Sequence, residues 1–258
     1  MIPKKIHYCW FGKTPKNELV KRCIHGWTKV LPDYQIHEWN ESNSPMESPY
    51  MRIAYRNQLW SKSSNLVRLY AVYVEGGIYL DTDVQVVKSL TPLLDNPCFL
   101  GFQQEHEGSD WVNVAVIGAV KGHPFIQALA YCVVESLLRM RQFSCIPETT
   151  TRLLRKAGLK EYGMQVINDV MLYPLEYFYP YPWNGQFSSE CITSNTHCVH
   201  HWQASWVSTK STKLDISESD LDQVRNWLYG KHQWIRANNW ASTFDRTHPI
   251  GKLQIVGD

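Results

Sequence analysis

Apolar positions along this chain recur at two spacings. Lys5 to Trp10 (KIHYCW) reads as a first strand, closed by Phe11-Gly12. From Asn17 to Val30 the residues Leu19, Cys23, Trp27 and Val30 repeat at helical spacing, and Leu31-Pro32-Asp33 ends the run. Tyr34 to Trp39 alternates as a second strand, and the polar stretch Asn40 to Pro49 is a loop. Tyr50 to Trp60 is predicted helical. Ser63-Ser64-Asn65 then reads as an N-cap cluster. It precedes Leu66, Leu69, Tyr70, Tyr73 and Val74, one apolar helix face. Gly76-Gly77 stops that helix, and Ile78 to Leu80 opens a strand.

Strands are expected at Phe99 to Phe102, Val112 to Val120 and Gln165 to Tyr173, and a last core strand at His197 to Trp202. Helices are expected at Pro124 to Met140, Glu148 to Ala157 and Ser217 to Tyr229, and Ser188 to Asn195 reads as polar loop. Strands alternating with helices predict an α/β fold, a mainly parallel sheet flanked by helices. No repeat or interdomain linker interrupts it.

Composition narrows the function. Of 258 residues, 44% are hydrophobic, enough for a sizeable core, and 11 Trp and 14 Tyr supply core or flat-ligand platforms. A net charge of +2 argues against a nucleic-acid partner. Seven cysteines without a CxxC pair read as free thiols of a reducing compartment. The N-terminal MIPKKIHYCWFG lacks an apolar signal core, and no 18-residue apolar run occurs, so a cytoplasmic location is expected.

The stretch EGGIYLDTDV (Glu75 to Val84) carries the sharpest chemical signal. An apolar strand opening finishes in Asp81 and Asp83, which alternation places on one side, ~6.6 Å apart along an extended chain. Paired carboxylates at a strand end repel unless they face water or share a cation. Hard oxygen ligands suit Mn²⁺ or Mg²⁺. Ligands of open α/β sheets gather at the carboxyl ends of strands.

The run SSNLVRLYAVYVEGGIYLDTDV (Ser63 to Val84) resembles the sugar-binding DxD region of glycosyltransferase family 32, more distantly the clostridial glucosylating toxins. IPKKIHYCWFG, IGAVKGHPF, YPLEYFYP and VHHWQASW match other family segments in order, so the resemblance spans about residues 1 to 206. It implies a GT-A fold, a Rossmann-like nucleotide-sugar-binding catalytic domain, with residues 207 to 258 a C-terminal helical extension. It also implies a metal-dependent retaining hexosyltransferase. The donor would be a UDP- or GDP-linked sugar, and the acceptor a polysaccharide, lipopolysaccharide or lipid-linked glycan.

Residue by residue, the resemblance implies Asp81, Asp83 and one of His200 and His201 as ligands of Mn²⁺ or Mg²⁺. Only one of two adjacent strand histidines can reach the ion. Trp10 is implied to stack on the base, although a core Trp fits the same spacing. Cys9, Ser64, Asn65, Arg68, Tyr79, Asn113, Ser205 and Trp206 are implied donor contacts. Arg68 with Asp81 and Asp83 forms the catalytic set. Asn65 departs from the family pattern, where an acid stands; an amide bonds hydroxyls but lacks the charge. Two other readings stay open: a nucleotide-sugar or glycan-binding protein with weakened catalysis, and a metal-dependent phosphohydrolase. In the extension, Trp227, Trp234 and Trp240 among basic residues fit either a helix packed on the core or a peripheral contact with an anionic membrane.

Overall fold

A computed structural model describes residues 1–203, 214–230 and 234–243. The chain opens with β1 (Lys5–Cys9), α1 (Glu18–Val30) and β2 (Gln35–Trp39). The Asn17 side chain caps α1 by accepting from the Val20 amide, 3.0 Å. Next come α2 (Pro49–Arg56), α3 (Trp60–Glu75), β3 (Gly77–Leu80), β4 (Val84–Val86), β5 (Cys98–Phe102) and β6 (Val112–Ala119). Then follow α4 (Pro124–Met140), α5 (Ile146–Lys156), β7 (Gln165–Ile167), β8 (Val170–Tyr173), β9 (Cys198–His200) and α6 (Glu218–Tyr229).

Seven strands form the central sheet in the order β2-β1-β3-β6-β5-β8-β7. β1 pairs parallel with β2 and β3, and β5 with β8, whereas β6 and β7 run antiparallel to their neighbours. Five of the seven strands therefore point one way, and the expected mainly parallel α/β sheet holds. All four residues of β3 and all eight of β6 are buried, as befits central strands covered on both faces. One apolar cluster lies under α2 to α6. The other lies under α1 and a two-stranded ribbon of β4 and β9.

Gly76 and Gly77 turn the chain from α3 into β3 with φ of 70° and 114°. A Cβ on Gly76 would lie 2.8 Å from the Lys121 amide nitrogen, and one on Gly77 2.8 Å from the Lys5 carbonyl oxygen. Left-handed backbone and close approach both require glycine here. The reversal lays α3 antiparallel to β3, so the start of α3 overhangs the carboxyl end of the sheet.

Four expectations change. Ser63, Ser64 and Asn65 lie inside α3 instead of capping it: the helix begins at Trp60, and the Ser63 amide already bonds the Leu59 carbonyl at 3.0 Å. Residues 165–173 form a hairpin of two strands, turned at Asn168 with φ 56°. β4 was not foreseen, because three residues carry too little alternation to register. β9 pairs with β4 outside the main sheet.

The C-terminal segments pack on the same core. Val224 and Leu228 of α6, then Ile235 and Trp240, are buried in the larger cluster. Trp227 meets Trp234 edge-on, Trp234 packs against Tyr70 and Tyr73, and Trp240 meets Phe125. The three tryptophans weighed for a membrane contact thus face the protein's own side chains. Among the described residues no helix is long and apolar enough to cross a membrane.

Candidate active site

The carboxyl ends of β1, β3 and β5, the start of β6 and the first turns of α3 meet at one edge of the sheet. β3 ends at Leu80, so Asp81 leaves the sheet with its amide donating to the Ala115 carbonyl, 2.8 Å. A tight turn follows, closed by the Val84 amide donating to the Asp81 carbonyl at 3.0 Å, and β4 carries the chain away. The two carboxylates therefore flank a turn instead of sharing one extended strand, which brings them closer than an extended chain allows.

Asp81 is gripped from below. Its Oδ1 lies 3.1 Å from Nη2 of Arg68 and accepts from the Tyr79 hydroxyl at 2.9 Å. Arg68 is only 5% exposed, so its cation depends on partners. Its Nη1 also donates to the Val114 carbonyl at 2.9 Å, and the guanidinium sits 4.6 Å from the Tyr79 ring centre. Burial opposes the charge, but Asp81 and Tyr79 outweigh it, and the Arg68 pKa stands above its ordinary value.

Asp83 is held from the other side. Its Oδ1 lies 3.2 Å from Nε2 of His200, and Oδ2 accepts from the Gln203 amide at 2.8 Å. Burial pushes the Asp83 pKa up. The His200 ring and the bonds from His200 and Gln203 outweigh that and leave it at about 2. The β4–β9 register sets Val84 opposite His200, which fixes the ring over the turn.

Asp81, Asp83 and His200 each bring one ligand atom within 4.8 Å of the others. Two hard oxygens and an imidazole form a donor set for Mn²⁺ or Mg²⁺. His200 Nδ1 is buried with no hydrogen-bond partner among the described residues, so the ring has a nitrogen still to satisfy. The residues fit a divalent ion. His201 points the opposite way, its Nε2 3.0 Å from Gln85 Oε1 and its ring against Phe187.

The remaining expected residues distribute around this turn. Trp10 follows β1, half-buried, with its indole donating to the Thr14 carbonyl at 2.7 Å and Lys16 5.3 Å from the ring centre. Cys9 is buried behind Tyr79 and Ser64, and burial pushes its thiol up to about 12. Ser64 offers its carbonyl to Arg68 Nε at 3.4 Å. Asn65 is buried, and its amide makes no hydrogen bond among the described residues. Asn113, buried on β6, accepts from the Ala115 amide at 2.8 Å and donates to Gln103, which in turn donates to Asp110. Ser205 and Trp206 lie outside the described residues.

Sequence reasoning missed Gln103, the Gln203 amide and the Val114 carbonyl. Backbone groups leave no residue-type signal. Gln103 reaches Asn113 only through the β5–β6 pairing, in which Gly101 faces Asn113.

A family model described as a glycosyltransferase sugar-binding region containing a DXD motif matches residues 17–100. Inositol phosphoceramide mannosyltransferase 3 of Schizosaccharomyces pombe is 29% identical over 133 residues, 48% of this chain and 35% of that protein. Lactosylceramide 4-alpha-galactosyltransferase of Rattus norvegicus is 26% identical over 201 residues, 74% of this chain and 46% of that one. The chain thus spans about a third of the fission-yeast relative and under half of the rat one. A solved galactosyltransferase in complex with donor and acceptor sugar analogues aligns at 14% identity and a TM-score of 0.45, covering 86% of this chain and 95% of its own. The matched region contains Arg68, Asp81 and Asp83, so over residues 17–100 this chain is similar to the DXD-containing glycosyltransferases.

Proposed function

We propose that the protein is a metal-dependent retaining glycosyltransferase that moves a hexose from a UDP- or GDP-linked donor to a glycan or lipid-linked acceptor. The observation that carries this reading is the convergence of Asp81, Asp83 and His200 beside the buried Arg68–Asp81 pair at the carboxyl edge of the sheet. The family match supports it, as do the mannosyl- and galactosyltransferase names of the relatives. Both names carry a ceramide, which favours a lipid-linked glycan over a free polysaccharide as acceptor.

Asp81, Asp83 and His200 would hold Mn²⁺ or Mg²⁺. When bound, the ion supplies Lewis-acid neutralisation of diphosphate charge. Arg68 adds a fixed cation, pre-oriented by Asp81, Tyr79 and the Val114 carbonyl, that needs no reorganisation as the leaving group gains charge. Trp10, half-buried at the end of β1, offers an indole face to the base. The donor's anomeric C–O bond breaks as the acceptor oxygen bonds to the same face. The acceptor proton passes to the departing phosphate oxygen, so no protein base is required.

Titration calorimetry with UDP and GDP, with Mn²⁺ and with chelator, tests the site. Binding that needs Mn²⁺ and is lost in Asp83→Ala supports it; metal-independent or absent binding refutes it. A second reading, a protein that binds donor without transferring it, is favoured by Asn65, whose neutral amide stands where the family has an acid. Metal-dependent binding without turnover on any lipid-linked acceptor would select that reading.

A further inference from the structure

Lys62, Asn65 and Arg68 stand at i, i+3 and i+6 on α3 and form one inclined row on the helix surface. Arg68 ends that row at Asp81. Lys62 begins it about 9 Å away along the helix axis, above the open edge of the sheet. Its ammonium donates to the Ser144 carbonyl at 3.1 Å and forms no ion pair among the described residues. By contrast Lys5 and Lys16, also partly buried, hold Glu75 and Glu38 at 2.9 and 2.8 Å.

Ser63 Oγ, Ser144 Oγ and the Tyr50 hydroxyl are buried without a hydrogen-bond partner. Tyr50 packs edge-on against Phe143, next to Ser144, with ring centres 4.9 Å apart. Asn65 leaves its amide unbonded between Lys62 and Arg68. Burial lowers the Lys62 pKa against the opposing pull of Cys145 and Glu148, and the charge of Arg68 adds to the lowering. Lys62, held only by a backbone carbonyl, and the unbonded Asn65 amide thus offer donors on one row of the helix that a ligand could meet. Arg68 already has its carboxylate in Asp81, whereas Lys62 forms no close ion pair among the described residues. With Asn65 in place of an acid, nothing on the row repels an anion.

We infer that Lys62, with Asn65 beside it, receives an anionic substituent of the glycan substrate, a carboxylate or a phosphate. The inference rests on the transferase reading and adds the class of sugar. The substituent belongs either to the donor, which is then a hexuronic-acid nucleotide, or to the acceptor, which then carries a phosphate near the attacking hydroxyl.

Two assays separate these sources. In the first, UDP-glucose and UDP-glucuronate, with galactose and galacturonate counterparts, compete for the Mn²⁺-loaded protein. In the second, a neutral donor is offered matched hexosides with and without a phosphate. UDP alone, which lacks the substituent, is the reference ligand throughout. Wild type should prefer the anionic member by about tenfold or more in one assay. Lys62→Met should cut that preference below about threefold, while Lys62→Arg, which keeps the charge, should retain most of it. Preference for neutral sugars in both assays overturns the inference. So does an anionic preference that survives Lys62→Met in a variant shown folded by circular dichroism. If neither UDP nor GDP binds wild type with Mn²⁺, the transferase reading itself falls and takes this inference with it.

Discussion

His200 Nε2 lies 3.2 Å from Asp83 Oδ1, although 116 residues separate the two in sequence. The two-stranded ribbon of β4 and β9 makes this contact, and it sets which of two adjacent histidines faces the carboxylates. His200→Ala should weaken Mn²⁺-dependent UDP or GDP binding by about 10- to 100-fold, the scale seen when groups supporting a metal are removed. His201→Ala should change it less than about threefold, since that ring bonds Gln85 on the opposite face. Calorimetry on the two variants checks this; equal losses would contradict the assignment.

Arg68 is buried and shared among Asp81, the Val114 carbonyl and the Tyr79 ring. Arg68→Ala should destabilise the fold by about 1–3 kcal/mol, because the buried Val114 carbonyl and the partly exposed Asp81 carboxylate lose a partner. Arg68→Lys keeps the charge but not the planar fork that reaches two acceptors at once. It should fold, yet lose most of any transfer activity. Urea unfolding and donor turnover distinguish the two effects.

Gly76→Ala combines a left-handed φ of 70° with a Cβ 2.8 Å from the Lys121 nitrogen. A stability loss above about 1 kcal/mol is expected. The loss should reach the site as well, because the same turn orients β3 and hence Asp81. A melting curve matching wild type would show that the turn relaxes freely.

Asp220 caps α6 in a reciprocal box with Ser217 and pairs with Arg56 at 2.7 Å. The hydrogen bond from Arg56 is the main cause that holds the Asp220 pKa below its ordinary value, against burial, with Ser217 assisting. The folded pKa is depressed, so this contribution is fully present above the unfolded value of about 3.9. It is lost as pH falls below that value and through the folded pKa. Arg56→Ala should lower the melting temperature at pH 7, and the gap to wild type should shrink as pH drops toward 2.5. Ser217→Ala should cost about 1 kcal/mol. A gap independent of pH would exclude Asp220 as its source.

Local signals in the sequence carried a good share of the structure. Gly76-Gly77, the apolar GIYL strand and Asp81 and Asp83 form one continuous run, so strand end and carboxylates were legible together. The five ordered family segments also brought His200 to the same turn. Ser63-Ser64-Asn65 misled because Ser and Asn favour N-caps, whereas the helix already begins at Trp60, with the Ser63 amide bonded to the Leu59 carbonyl. β4 is three residues long, too short for a periodic signal. The chain from Asn113 through Gln103 to Asp110, and the placing of Lys62 by Ser144, depend on register and on loop packing that no single segment encodes.

The most direct measurement is nucleotide release from a panel of UDP- and GDP-sugars with a glycosylated lipid as acceptor. It is made with Mn²⁺ and with chelator, on wild type and Asp83→Ala. Release of one nucleotide that requires Mn²⁺, rises with acceptor and falls at least about 100-fold in Asp83→Ala is the expected result. Release that persists in chelator or in Asp83→Ala would contradict a transferase built on Asp81, Asp83 and His200.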